Sequence, residues 1–167
     1  ASEGVGCVPS PSFCIGFNFA HEGFIQRHPR SGRVLDYVSF WDGGLRIVDV
    51  TDPANPTEVG AYDYNFFTNG LTSAHYAAAT PSGDWVYLED EIGYFNTGGV
   101  HVLDTSACDG TSYCTPVLVG NWHIPGHPIQ AAALNSFRSG QFVPAIEAAF
   151  RRSFTFDAHN LDVRGEN

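Results

Sequence analysis

Gly44-Leu45-Arg46-Ile47-Val48-Asp49-Val50-Thr51-Asp52-Pro53-Ala54-Asn55-Pro56-Thr57-Glu58-Val59-Gly60 decides the fold. Leu45 to Val50 is a short apolar run rich in branched residues, which suits a strand. Thr51 to Pro56 is a hard turn. Asp52 and Asn55 can hydrogen-bond nearby backbone, and each proline fixes φ. A second strand starts at Thr57, so the stretch is a strand–turn–strand unit.

The unit occurs twice. Gly99-Val100-His101-Val102-Leu103-Asp104-Thr105-Ser106 aligns with Gly44 to Thr51, and Pro116 to Gly120 aligns with Pro56 to Gly60. An upstream marker recurs as Ala20-His21, Ala74-His75 and Ala158-His159. A period of roughly 50 residues with several short strands per unit predicts β-propeller blades.

These residues resemble the LVIVD repeat of secreted bacterial and archaeal β-propellers. The resemblance rests on the small residue before His, the Gly followed by four apolar positions and Asp, and the Thr51-Asp52-Pro53 turn closed by Pro56. The first copy matches closely. The second carries Ala107-Cys108 where the first has Asp52-Pro53, and its turn is longer. The resemblance covers roughly residues 20–122 and 154–167 and implies an architecture, not a reaction.

Composition narrows the class. The chain has 167 residues, enough for one domain with a core. Charged residues are 16%, too few for a disordered chain. No apolar run is long enough to span a membrane as a helix. A net charge of −10 argues against nucleic acid and suits a solvated acidic surface or a basic partner. All eight basic residues are arginine and there is no methionine, which predicts a processed form or a fragment. Cys7/Cys14 and Cys108/Cys114 form two local pairs around loops rich in small and polar residues. They predict two local disulfides and an extracytoplasmic location: periplasmic, cell-surface or secreted. Zinc is the alternative, but its sites use tighter cysteine spacing.

The expected organisation is a single β-repeat domain over 1–167. A lead-in spans 1–19, blade one 20–73 and blade two 74–127. Blade-one strands are expected at 21–25, 34–40, 45–50 and 57–62, and blade-two strands at 75–80, 85–89, 100–105 and 117–122. The β pattern then breaks. Residues 128–153 are Ala-rich with apolar positions three to four apart, predicting a helical insertion. Its stripe includes Phe142, Ile146 and Phe150, candidate partner-binding residues. The opening strand of a third blade is expected over 154–167. Two blades and one strand do not close a ring. Completion therefore falls to a longer protein, to partner chains on the open edges, or to face-to-face packing as a small sandwich.

Several residues are candidates for chemistry. His21, His75 and His159 share one repeat position at the start of inner strands. There they can hold a divalent metal in a propeller channel or bond the backbone as a repeated structural element. His123 and His127 sit in a Pro/Gly loop and are expected to be exposed. Asp84 and Glu89-Asp90-Glu91 lack calcium-loop spacing and are expected to form a solvated acidic loop. Asp49 and Asp104 end matching strands, where Asp accepts backbone N–H bonds. Trp41, Trp85 and Trp122 are expected in core and cross-strand pairs. No nucleophile elbow, phosphate loop, zinc-protease or haem-attachment motif occurs.

The leading expectation is a non-catalytic secreted or periplasmic binding or scaffolding module with no cofactor. It would be an accessory subunit docked through its open blade edges on a larger complex, which can be a membrane one. The alternative is a metal-binding propeller protein or enzyme using His21, His75 and His159.

Overall fold

The computed structural model describes residues 19–41, 43–64, 72–93 and 99–122. They form eight strands: β1 (Glu22–Arg27), β2 (Val34–Ser39), β3 (Leu45–Asp49), β4 (Thr57–Tyr62), β5 (Thr72–Ala79), β6 (Trp85–Gly93), β7 (Val100–Asp104) and β8 (Val117–Trp122). These make two four-stranded antiparallel sheets, ordered β1-β2-β3-β4 and β5-β6-β7-β8. There is no helix among the described residues. The helix expected over 128–153, with Phe142, Ile146 and Phe150, lies outside them. So do Cys7, Cys14, His123, His127, His159 and the strand expected over 154–167.

The local chemistry explains each sheet. In β2 and β3 every second residue is buried, as a pleated strand requires. The turn after β3 is held by its own polar groups. Asp49 accepts the Thr51 N–H at 2.9 Å, and Asp52 accepts the Ala54 N–H at 3.0 Å and the Asn55 side-chain amide at 2.7 Å. Burial pushes the Asp49 carboxyl up, but hydrogen bonds from Thr51 and Arg33 outweigh it and hold the group below its ordinary value. In blade two Asp104 accepts the Ser106 N–H at 2.9 Å, which lowers its pKa in the same way. Both aspartates therefore do the structural work their position implied.

A β-bulge repeats with the sequence. Ile47 pairs with Gly60 and Val48 with Glu58, so Val59 is the extra residue in β4. Val102 pairs with Gly120 and Leu103 with Leu118, so Val119 is its equivalent in β8. A bulged residue is left out of its own ladder, and its backbone is available to a neighbour. In blade one that neighbour is the Cys108–Cys114 disulfide loop. Cys114 donates its N–H to the Val59 carbonyl at 2.9 Å, and its own carbonyl accepts from Ala61 at 3.3 Å. Gly60 permits this approach, because a Cβ there would stand 2.6 Å from Cys114 Sγ.

The sheets meet face to face, inner strand β5 against β1 and β2, with the loop before outer strand β8 against outer strand β4. This packing is consistent with a β-propeller-like repeat. Leu35, Tyr37, Leu45 and Ile47 of blade one bury against Ala77, Ala79, Val86, Leu88 and Leu103 of blade two. Each large side chain removed from water here contributes about 1.5–3 kcal/mol. The alanines of β5 let the two backbones approach.

The far end of the seam is polar. Arg30 pairs with Asp84 and donates to the Ser106 carbonyl at 2.5 Å, and Ser31 donates to the Asp109 carbonyl at 2.6 Å. His28 is fully buried here, and among the described residues neither ring nitrogen has a hydrogen-bond partner. A Cβ on Gly83 would stand 2.5 Å from its Nε2. Burial, then the Arg30 charge, lower the His28 pKa below 6.5, and Asp109 and Asp84 oppose this.

Two outcomes follow from the seam. Gly60→Val should cost about 1–3 kcal/mol in urea unfolding, because the disulfide loop must move. Gly120→Val, at the equivalent but open position, should change the isolated chain by less than about 0.5 kcal/mol. Equal effects would contradict the seam. The second outcome concerns pH. The folded state keeps His28 neutral while the unfolded chain takes up a proton, so stability should fall as pH drops from 6.5 toward the lowered folded pKa. Melting curves should show this slope, and His28→Gln should flatten it.

Candidate functional site

Two features of the fold bear on function: a histidine cluster at the inner end of the seam and an apolar face of blade two that no other described segment covers. The cluster is set up by a tight turn. Phe40 N–H bonds the Gly44 carbonyl at 2.7 Å, and Gly43 N–H bonds the Phe40 carbonyl at 2.8 Å. Gly44 has φ +79, and a Cβ there would lie 2.3 Å from the Tyr62 carbonyl oxygen. Trp41 also has positive φ, at 43°. A bulky residue in that region stores about 1–3 kcal/mol, and such strain collects at functional sites. The turn aims the Trp41 carbonyl at β5, where it accepts the Ala74 N–H at 3.0 Å. The residue after Ala74 is His75, which is thereby brought to His21.

His21 is fixed from its own side by an N–H bond to the Ser39 carbonyl at 2.8 Å. Its ring stacks on Trp41, 5.0 Å between centroids, and Phe19 covers the Trp41 ring at the same distance. The His21 and His75 rings lie 4.3 Å apart. Glu22 joins them, and one ligand-type atom from each of the three lies within 4.8 Å of the others. His75 is only 3% exposed, whereas His21 and Glu22 are half-buried. Glu91 Oε2 stands 3.7 Å from His75 Nε2. The sequence pairing of His21 with His75 is thus realised in space, and His159 lies outside the described residues. Glu22 was not foreseen. Its signal was adjacency to His21, but neighbours along a strand normally point to opposite faces.

The acidic triplet corrects an expectation. Glu89-Asp90-Glu91 is not a solvated loop but lies within β6, and Glu89 and Asp90 are each 2% exposed. A buried carboxylate needs partners. Asp90 receives a hydrogen bond from the Tyr64 hydroxyl and pairs with His101 Nε2 at 2.6 Å. Asp84 is apart from them, on the turn that holds Arg30. The sign of this network was present at position 101, where blade two carries His in place of Arg46.

The tryptophans divide. Trp41 packs in the histidine cluster as described. Trp85 is 40% exposed and Trp122 is 56% exposed, so neither is the core residue expected. Along β8, Val117, Leu118, Val119 and Trp122 are all exposed. They belong to the open face and edge of blade two. Among the described residues no helix is long and apolar enough to cross a membrane.

The Tyr64–Asp90–His101 network yields a direct test. Asp90→Ala should destabilise the chain by about 1–3 kcal/mol, because it strands the Tyr64 and His101 groups that bonded it. Asp84→Ala, which removes a surface pair, should cost less than about 1 kcal/mol. Denaturant titration of both variants checks the order.

Comparison with known proteins agrees with the repeat. Residues 36–64 match the family model described as the LVIVD repeat, from β2 through the Asp52 turn to the end of β4 and beyond to Tyr64. No curated protein and no solved structure gives a significant match to the chain. The two four-stranded sheets of the described residues and the match of residues 36–64 to the LVIVD repeat are consistent with a β-repeat module, and the buried Cys108–Cys114 disulfide is compatible with an extracytoplasmic location.

Proposed function

We propose that the chain is a non-catalytic binding or scaffolding module that acts outside the cytoplasm as an accessory subunit of a larger protein assembly. One observation carries the reading. Positions that blade one buries against blade two recur on blade two with nothing comparable over them among the described residues. Leu35, Ile47 and Tyr62 correspond in register to Trp85, Val102 and Trp122. Leu35 and Ile47 are fully buried, whereas Trp85 and Trp122 are exposed. Gly60 admits the disulfide loop, and among the described residues its equivalent Gly120 meets only Val102 Cβ at 4.0 Å. A bulge, a glycine and an apolar row kept in register are the receiving surface of one more blade-like unit. A protein partner offering such a sheet and loop fits this face, and an open strand edge favours the same contact.

The disulfide supports the oxidising location. The acidic surface suits a basic rim on the partner. Hydrogen exchange on the chain alone and in its native assembly tests the docking. Amides of β8 should exchange at least about tenfold more slowly in the assembly. A native mass equal to that of one chain, with β8 exchanging at the same rate, would contradict the proposal.

A further inference from the structure

We propose that His21, Glu22 and His75 form a binding site for a borderline divalent cation of the zinc class. The site lies at the inner end of the seam and is independent of the docking face on β8. Two imidazoles and one carboxylate are a ligand set that zinc, cobalt or nickel accepts. Calcium and magnesium demand mostly oxygen ligands, so two nitrogens select against them. The three donor atoms already lie within 4.8 Å of one another although 53 or 54 positions separate His75 from the other two. A tetrahedral ion with bonds of about 2.0–2.2 Å needs donors about 3.4 Å apart. Rotation of the half-buried Glu22 side chain, with a tilt of the His21 ring against Trp41, would close that difference.

Three surrounding features fit an ion better than a packing contact. His21 Nδ1 is buried without a hydrogen-bond partner, a deficit that a ligand bond would remove. The Trp41 stack holds the His21 ring in place. Glu91 Oε2 stands 3.7 Å from His75 Nε2, where a small shift would let the carboxylate orient a metal-bound imidazole. The half-buried Glu22 leaves a path from solvent. Three protein ligands leave at least one coordination position open to water or a small anionic ligand.

The test uses the chain carrying no affinity tag and zinc chloride alone, titrated in a calorimeter. The expected result is one ion per chain. Glu22→Gln should weaken binding at least tenfold, and His21→Gln and His75→Gln about a hundredfold. His75 is buried, so if its variant fails to fold, the half-buried His21 and Glu22 variants decide. A second readout uses cobalt(II), which should quench tryptophan emission because His21 lies on Trp41. A Trp85→Phe/Trp122→Phe variant, which keeps Trp41 as the sole tryptophan and leaves the cluster untouched, should retain both the quenching and zinc binding. Absence of zinc binding to the folded chain would overturn the proposal. So would affinity undiminished in the His21 and Glu22 variants, or loss of the quenching in the Trp85→Phe/Trp122→Phe variant.

Discussion

A four-stranded sheet with one apolar face is not stable alone in water, and everything in this protein depends on how that face is closed. Blade one is covered by blade two. At the outer edge, a bulge releases the Val59 carbonyl, a glycine clears the space, and the Cys108–Cys114 loop docks through Cys114. At the inner edge, the Trp41 carbonyl catches the Ala74 amide. Between them lie the alanines of β5 and the large side chains of β2 and β3. The disulfide encloses a short loop and restricts the unfolded chain by about 2 kcal/mol on the loop-entropy account. Its larger role is to give the loop the shape that fits β4.

The two candidate functions arise from this seam. The histidine cluster exists because the inner edges of two repeats converge, bringing one repeat position, His21 and His75, to a single point. The proposed docking face follows from the same logic, because a repeat that closes one neighbour also presents a surface for the next. On this reading a repeat brings side chains together by convergence and offers an interface by translation. The Tyr64–Asp90–His101 network is the polar counterpart of the apolar seam. It ties the end of blade one to β6 and β7 and fixes their register.

Much of the fold was legible because its signals are local. The Asp52-Pro53 turn, the strand alternation and the aligned glycines placed most strands to within a few residues. β5 begins earlier than expected, at Thr72, and β6 runs on to Gly93, because pairing with a neighbour extends a strand beyond its apolar run. The proximity of His21 and His75 was legible from the repeat alone. Glu22 was not, since strand alternation argues against two adjacent ligands. Burial of Glu89 and Asp90 was not legible either. An acidic triplet signals surface by composition, and only the long-range pairing with Tyr64 and His101 reverses that. The exposure of Trp85 and Trp122 is the complementary case. Their sequence signal was that of core residues, and it describes the interface of the proposed assembly better than the surface of the single chain.

The central claim is that the seam makes two blades one cooperative unit. Native-state hydrogen exchange under increasing urea tests it most directly. The account predicts that amides of β2 and β3 in blade one and of β6 and β7 in blade two share a single opening free energy and a single urea dependence. Two separate values, with one blade opening while the other stays protected, would contradict it.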